Sequence, residues 1–175
     1  DDRPLQEVKA KDLEGYAQCH FFAGIGGWSY ALRLAGWSDD RPVWTGSCPC
    51  QSFSSAGNSE AFLSERHLWP VWNRLIIERT PPVVVGEQVE AAIRWGWFDL
   101  LVADLEAEDY SVASAVLPAS SVGALHKRDR LWWVACNSAS IRWEEGSKSI
   151  RKKFAKSKMQ SGSWRGQLLA TPRLQ

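Results

Sequence analysis

The apolar positions of the chain form short runs rich in β-branched and aromatic residues, and these runs alternate with stretches of helical spacing. The clearest strand pattern lies at 82–86, where consecutive valines stand between a proline and a glycine. The clearest helical pattern lies at 97–108, where apolar residues recur every three or four positions. Similar patterns predict strands at 18–22, 42–47, 110–117 and 131–136 and helices at 29–34 and 65–79, with Pro70 as an alternative start of the second helix.

This alternation of strands and helices predicts an α/β fold with a mostly parallel sheet and helices on both faces. Ligands in such sheets bind at the carboxyl ends of the strands. In this chain the segments that follow three of the predicted strands are 24–27, 47–51 and 87–89. We therefore expect these three segments to converge on one site.

The composition is that of an ordinary globular protein of one domain, with 45% hydrophobic and 23% charged residues among 175. There is no apolar run long enough to span a membrane and no signal-peptide pattern, which predicts a cytoplasmic protein. Four cysteines are too few for a disulfide scaffold, and Cys48 and Cys50 stand too close to bridge each other. Core packing accounts for most of the eleven tryptophans, with stacking on nucleobases as the less favoured alternative.

Charge is distributed unevenly along the chain. Residues 142–175 hold nine Lys and Arg against two Glu, whereas residues 1–141 hold 12 Lys and Arg against 18 Asp and Glu. The basic end suits a polyanion such as DNA, and a solvated terminus without a partner is the alternative. We therefore divide the chain into a lead-in at 1–17, an α/β domain at 18–140 and a basic, flexible tail at 141–175.

A glycine-rich turn, Phe22-Ala23-Gly24-Ile25-Gly26-Gly27, follows the first predicted strand and precedes a helix. Glycines at such a turn let the backbone approach a ligand while helix N–H groups point at it, although any tight turn favours glycine. The chain has no Gly-x-x-x-x-Gly-Lys pattern, which argues against a nucleoside triphosphate. A ligand without a polyphosphate is the better match.

Cys50 lies in a Pro49-Cys50-Gln51 turn directly after the second predicted strand. A proline before it fixes the backbone, and the polar side chains that follow could contact a substrate. A free thiol is mostly protonated at neutral pH, so a nucleophilic cysteine needs positive surroundings. The alternative for Cys50 is a small buried apolar residue.

Charged residues follow the valine-rich strand and precede the last strand. Glu87 comes directly after 82–86, where a carboxylate is expensive to bury unless it is paired or has a chemical role. Arg128 and Arg130 stand two positions apart, so their side chains would share one face of an extended segment. Two guanidinium groups there could bind a phosphate, orient Glu87 or hold a base carbonyl oxygen, and surface ion pairing is the alternative.

These motifs, in this order, resemble those of the DNA (cytosine-5)-methyltransferase family. The resemblance covers roughly residues 18–136 and rests on four stretches of the sequence: Phe22–Gly27, Pro49-Cys50-Gln51-Ser52-Phe53-Ser54, Gly86-Glu87-Gln88-Val89 and His126-Lys127-Arg128-Asp129-Arg130. It implies a Rossmann-like S-adenosylmethionine-dependent methyltransferase fold, in an abbreviated form that is compact and phage-like or partial. It also implies a bacterial or phage-encoded protein associated with the nucleoid.

The resemblance implies a role for each motif. Cys50, Glu87, Arg128 and Arg130 would be catalytic, with the Cys50 thiolate adding to carbon 6 of a flipped-out cytosine. The cofactor S-adenosylmethionine would be bound by Phe22, Ala23, Gly24, Ile25, Gly26 and Gly27. The DNA substrate would be bound by Pro49, Gln51, Ser52, Ser54 and Gln88. No metal is implied.

The sequence departs from the family pattern at several points. Gln88 stands in place of an asparagine and His126 in place of a glutamine, and segment 28–48 replaces two further strands. One of those strands usually carries an acid for the cofactor ribose, for which Asp39 or Asp40 is a substitute. No region for target recognition follows Cys136, so a second chain or a missing segment would supply it.

Three functions remain open on these grounds. The first is a cytosine methyltransferase, active alone or completed by a partner, and the second is a catalytically defective DNA-binding remnant of the same fold. The third and least favoured is a thiol redox or zinc protein that uses Cys48, Cys50, Cys136 and His67, whose spacing is unusual for a metal site.

Overall fold

A mixed five-stranded sheet organises the chain. The computed structural model describes residues 3–49 and 59–139, with the backbone alone for 59–67. The strands are β1 Gln18–Phe21, β2 Val43–Gly46, β3 Val83–Val89, β4 Tyr110–Pro118 and β5 Asp129–Asn137. All five lie within two residues of the segments that the apolar runs predict, apart from the carboxyl end of β3, which extends through Val89.

The strand order is β1-β2-β3-β5-β4. Strands β1, β2 and β3 pair in parallel, and β5 pairs antiparallel with both β3 and β4. Four strands therefore run in one direction and β5 runs against them, which confirms a mostly parallel arrangement. The antiparallel pair follows from the short connection between β4 and β5, because a parallel pair needs a longer crossover.

Four α-helices connect the strands. They are α1 Gly27–Leu34, α2 Ser59–Arg79, α3 Ala91–Arg94 and α4 Trp97–Glu106. Because α2 begins at Ser59, Pro70 lies inside the helix and does not mark its first turn, so the alternative start is wrong. Proline has no backbone N–H, and this turn of α2 therefore lacks one intrahelical hydrogen bond.

Tryptophans form the centre of the core between the sheet and the helices α2 and α4. The Trp72 ring packs 5.9 Å from the Trp133 ring and 5.8 Å from the Trp69 ring, and Trp69 contacts Trp97 at 6.0 Å. All four are buried. The Trp69 Nε1–H donates to the Asp104 carboxylate at 2.7 Å. Core packing thus accounts for these tryptophans, as their positions in the sequence predict.

The N-terminal segment packs against α2. Its two 3₁₀ helices are Leu5–Glu7 and Ala10–Leu13. The Arg74 guanidinium donates to the Val8 carbonyl at 3.0 Å, and Arg79 pairs with Glu14 at 3.3 Å. Val8 is buried. The lead-in therefore contributes to the core beneath β1.

The opposite face of the sheet carries α1. Trp28 of α1 contacts Trp132 edge-on at 5.8 Å between ring centroids. Because Trp132 and Trp133 are successive residues of β5, their side chains point to opposite faces, and α1 and α2 lie on different sides of the sheet. This confirms the prediction of helices on both faces.

Within residues 3–49 and 59–139, no helix is long and apolar enough to cross a membrane. The same part of the chain holds no group of three His, Cys, Asp or Glu residues placed to bind a metal ion. Cys19, Cys48 and Cys136 are free thiols.

Candidate active site

A cleft of about 520 Å³ opens where the glycine turn faces the strand ends. One wall comes from the turn and the start of α1, and the other from β3, β5 and the 3₁₀ helix Ala119–Val122 that follows β4. Its lining is largely apolar, with a small polar group at one end. The residues used below are Ala23, Ile25, Gly27, Trp28, Ser47, Glu87, Val122, Arg128, Arg130 and Trp132.

The glycine turn forms its wall through a left-handed backbone. Gly24 has φ +55° and Gly26 has φ +77°, a region in which a side chain costs free energy. The Gly26 N–H donates to the Ala23 carbonyl at 2.9 Å, and Gly26 is the residue that caps α1. Glycines are thus favoured at 24 and 26 by backbone geometry, and the turn places Ala23, Ile25 and Gly27 at the cleft.

Phe22 lies apart from the other turn residues. It has φ +52° and its ring meets Trp72 edge-on at 6.3 Å, on the core side of the sheet. It lines a separate cavity of about 440 Å³ between β1 and the N-terminal segment. Ala23, Ile25 and Gly27 line the main cleft, whereas Gly24 and Gly26 line neither of these two cavities.

Glu87 and Arg130 form an ion pair at the polar end of the cleft. The Arg130 Nε atom lies 2.7 Å from Glu87 Oε1, and the side chains of Arg130 and Glu87 are 22% and 24% exposed. The register pairs Val89 with Arg130 and Glu87 with Trp132, so Glu87 and Arg130 are diagonal neighbours on one face of the sheet. Two residues 43 positions apart in the sequence therefore meet because β3 and β5 are adjacent.

Arg128 lines the same cleft just before β5. It is exposed, and its φ of +40° is unusual for a residue with a side chain. The strand begins at Asp129, whose carboxylate binds Lys127 at 2.7 Å. Arg128 and Arg130 share the cleft as the sequence predicts, although Arg128 is not in the extended conformation assumed for that prediction.

Gln88 points to the other face of the sheet. It is 3% exposed, and its amide donates to the Cys48 carbonyl at 3.4 Å while its own oxygen accepts from the Val89 N–H at 2.9 Å. This geometry favours support of the backbone before Pro49 over direct contact with a substrate. Pro49 is partly exposed and follows Cys48, which is buried.

Several predicted site residues lie outside the described residues. They are Cys50, Gln51, Ser52 and Ser54. The described chain stops at Pro49 and resumes at 59, and Ser47, two residues before Pro49, lines the cleft.

Neither candidate for a ribose-binding acid lines the cleft. Arg33 donates to the Asp39 carboxylate at 2.8 Å through both Nε and Nη2, and this hydrogen bonding lowers the pKa of Asp39. The Ser38 hydroxyl donates to Asp40. Both acids therefore stabilise the loop between α1 and β2.

Trp28 and Trp132 line the cleft, although the motifs in the sequence do not indicate them as site residues. Trp132 is 37% exposed and lines the cleft, whereas Trp133 is 1% exposed and belongs to the core. Two adjacent tryptophans on a strand must face opposite sides, and that alternation is the signal that could have identified Trp132. The apolar rim formed by Ile25 and Val122, both strongly exposed, has no comparable signal.

The order and direction of the strands define a Rossmann-like methyltransferase fold. The structure of S. pombe Dnmt2 methyltransferase matches 73% of this chain with a TM-score of 0.52 at 17% sequence identity. The family model of the C-5 cytosine-specific DNA methylases matches residues 39–169. The chain belongs to the C-5 cytosine-specific DNA methylase family.

Two other solved structures are similar to the chain. Entamoeba histolytica methyltransferase EhMeth matches 70% of it at 13% identity and a TM-score of 0.48, and Spodoptera frugiperda DNMT2 matches 74% at 16% identity and a TM-score of 0.49. The matches cover 50% of the S. pombe protein and 53% of each of the other two, so the chain spans about half the length of these proteins. No curated protein sequence matches the chain.

Proposed function

We propose that the chain is the catalytic part of a DNA cytosine C5 methyltransferase. The main support for this proposal is the cleft. It joins a glycine turn, which suits a cofactor, to the Glu87–Arg130 pair, which suits a pyrimidine ring, in a chain of this family. The matched range of the family model includes Cys50, Glu87, Arg128 and Arg130 but begins after the glycine turn. The assignment of the turn to the cofactor therefore rests on the shape of the cleft.

The cofactor would be S-adenosylmethionine. The cleft has the volume of a small-molecule site and a mostly apolar lining, to which the turn contributes Ala23, Ile25 and Gly27. Residues 23–27, with Phe22 behind them, would hold the cofactor. When bound, it supplies an electrophilic methyl group to carbon 5 of the base. The absence of a phosphate-binding lysine motif agrees with a cofactor that has no polyphosphate.

The chemistry on the cytosine ring would use the Cys50 thiolate and the Glu87 carboxyl group. The Cys50 thiolate adds to carbon 6 of cytosine, the electrons of the carbon 5–carbon 6 double bond shift into the ring, and N3 takes up a proton from Glu87. Carbon 5 thereby becomes nucleophilic. After methylation, water takes up the carbon 5 proton and N3 returns its proton to Glu87. The carbon 5–carbon 6 double bond is then restored and the sulfur leaves as the thiolate.

Arg130 would position Glu87 for this role. Its guanidinium pairs with one carboxylate oxygen, with 2.7 Å between Arg130 Nε and Glu87 Oε1, so the base would be contacted by the other oxygen. The half-buried pair is stronger than an exposed one and fixes the rotamer of Glu87. Arg128, exposed at the cleft mouth, would contact the base oxygen or a nearby phosphate.

DNA would be the substrate, with the target cytosine flipped out of the duplex. Unstacking one base costs a few kcal/mol, which contacts to the strand must offset. Pro49, Gln51, Ser52 and Ser54 would contact the base, and the basic residues of 142–175 would contact phosphates. Since the chain spans about half the length of similar methyltransferases, target recognition would come from a second chain or a further segment. The enzyme would act in the bacterial cytoplasm, at the nucleoid.

Covalent trapping tests this proposal. The full chain is incubated with S-adenosylmethionine and duplex DNA in which 5-fluorocytosine replaces cytosine. Fluorine at carbon 5 cannot leave as a proton does, so the sulfur–carbon 6 bond persists and a complex stable to denaturation is expected. Cys50→Ser should abolish the complex, and Cys136→Ser, which removes a half-buried thiol elsewhere, should retain it.

The same protein, cofactor and DNA also test the alternative function, a catalytically defective remnant that binds DNA. A remnant that only binds DNA would form no covalent complex and would show no heat of binding with S-adenosylmethionine. Its DNA affinity would still fall steeply with salt. That combination would remove the catalytic proposal.

A further inference from the structure

A chain of three side chains links β1, β2 and α1 behind the glycine turn. The Ser29 hydroxyl lies 2.9 Å from His20 Nε2, and His20 Nδ1 lies 2.7 Å from the Thr45 hydroxyl. His20 is on β1, Thr45 is on β2 and Ser29 is in the first turn of α1. Thr45 is fully buried. Both ring nitrogens of His20 are therefore engaged, one toward the sheet and one toward the helix.

Helix α1 depends on few contacts for its position. None of its residues is buried, and Tyr30 and Leu34 are 67% and 72% exposed. Two side chains of its first turn reach the sheet: Trp28 meets Trp132, and Ser29 meets His20. Most helices are held by a buried apolar stripe. In the described part of the chain, the contacts of Trp28 and Ser29 attach α1 to the sheet next to the glycine turn.

The arrangement is unlike a hydrolytic triad even though its connectivity is similar. A triad needs a carboxylate behind the histidine to stabilise the imidazolium. Thr45 is neutral, and burial lowers the pKa of His20. A neutral imidazole can donate from one nitrogen and accept at the other, which is what two hydroxyl partners require. The chain of bonds is therefore suited to holding three elements together.

We propose that His20 is a positioning residue that, through Ser29, fixes the first turn of α1 and with it the glycine turn that forms one wall of the cleft. Within the proposed function, it sets the affinity for the cofactor without touching the reacting atoms. The link of two hydrogen bonds then holds the start of α1, and the glycine turn before it, against β1 and β2.

Hydrogen exchange tests the structural part without any ligand. The Gly26 amide, bonded to the Ala23 carbonyl, reports on the turn, and the Val43 amide, bonded to the Ala17 carbonyl, reports on the sheet. In Ser29→Ala we expect Gly26 to exchange about fivefold faster, as loss of one hydrogen bond implies, with Val43 unchanged. Tyr30→Ala, an exposed change in the same helix, should leave both amides as they are.

Two histidine variants separate the two halves of the link. The side-chain amide of asparagine occupies the position of His20 Nδ1. The longer side chain of glutamine places its amide at the position of His20 Nε2. His20→Asn should therefore keep the Thr45 bond, lose the Ser29 bond and behave like Ser29→Ala. His20→Gln should retain the Ser29 bond and protect Gly26 more than His20→Asn does.

Calorimetry with S-adenosylmethionine supplies the functional readout. Ser29→Ala and His20→Asn should weaken binding by about three- to tenfold, while Tyr30→Ala binds like the wild type. Unchanged Gly26 exchange in Ser29→Ala would overturn the proposal, and so would an equal rise at Gly26 and Val43, which would mean a general loss of stability. If the wild-type chain binds no S-adenosylmethionine, the proposed function loses its support and the exchange of Gly26 alone decides this inference.

Discussion

Gly86 and Trp133 are directly opposite each other on β3 and β5, and the Trp133 indole lies on the bare backbone of Gly86. A Cβ atom built at Gly86 would overlap the indole ring. Trp72 of α2 likewise packs against the backbone of Gly46 in β2, and a Cβ atom built at Gly46 would lie 2.5 Å from the ring. Two tryptophans therefore support, from the core side, the strand ends that carry the candidate site on the other side.

Gly86→Ala should destabilise the protein by about 1–3 kcal/mol, because the Trp133 ring is buried and cannot move aside without repacking. Urea unfolding followed by circular dichroism measures this change. Gly27→Ala is the matched control. Gly27 has an ordinary φ, open space around it and a helical position, so alanine should raise the free energy of unfolding by up to about 1 kcal/mol. Equal stability of Gly86→Ala and the wild type would contradict the packing described for Trp133.

Glu87→Gln should lower methyl transfer by about a hundredfold or more, because the amide keeps the shape of the side chain but cannot deliver a proton to the base. Transfer of labelled methyl groups to DNA measures it, with cofactor binding expected to stay near the wild-type value. Glu90→Gln makes the same change three residues later, in a surface pair with Arg94 at 3.8 Å, and should leave transfer unchanged. Full activity of Glu87→Gln would remove Glu87 from the mechanism.

Arg128→Gly should give a protein that is more stable and less active. The φ of +40° costs a residue with a side chain about 1 kcal/mol, which glycine does not incur. The guanidinium at the cleft is lost at the same time. Arg128→Ala loses the same group but keeps the backbone cost, so thermal unfolding should rank glycine above alanine while both transfer methyl groups slowly. Equal stability of the two variants would show that the backbone at 128 is relaxed.

Alkaline pH should weaken the fold through Tyr110. Its hydroxyl donates to the Pro81 carbonyl at 2.7 Å, and burial raises the pKa of Tyr110 to about 12. Because the folded pKa lies above the unfolded value of about 10, this contribution is complete below pH 10 and is lost as pH rises toward 12. The free energy of unfolding should fall by about 2–3 kcal/mol over this pH range.

Tyr110→Phe should remove that dependence. The free energy of unfolding, measured in urea between pH 9 and 12, should fall more steeply for the wild type than for the variant. Burial also raises the pKa of the Cys19 and Cys136 thiols, but these titrate in both proteins and cancel in the difference. Tyr30→Phe changes an exposed tyrosine and should follow the wild type. Parallel curves for Tyr110→Phe and the wild type would refute the assignment.

Local patterns in the sequence were sufficient to predict the strands. The strand 82–86 is β-branched and bounded by Pro and Gly, so its conformation follows from local preference. The place of β5 between β3 and β4 could not be predicted in this way, because strand order depends on contacts between distant residues. The motif resemblance, rather than periodicity, is what indicated that the two charged segments share a site.

The alternation of side chains along a strand limits which residues at its end can line the cleft. Glu87 and Gln88 are neighbours on β3 and must face opposite sides, so only one of them can line the cleft. Phe22 is continuous with the glycine turn in the sequence, which predicts that it shares the cofactor site with the glycines. Its ring lies on the core side, and no local pattern in the sequence predicts the positive φ that accompanies this position.

The central place of β5 has a consequence for synthesis on the ribosome. Of the strands in the described residues, β5 is translated last, yet both β3 and β4 depend on it for pairing. Until residue 137 has emerged from the exit tunnel, the nascent chain presents two strands with unsatisfied edges, which are templates for aggregation. Fragments that stop before β5 should collect in inclusion bodies, and the yield of folded protein should depend on chaperones that shield those edges during translation.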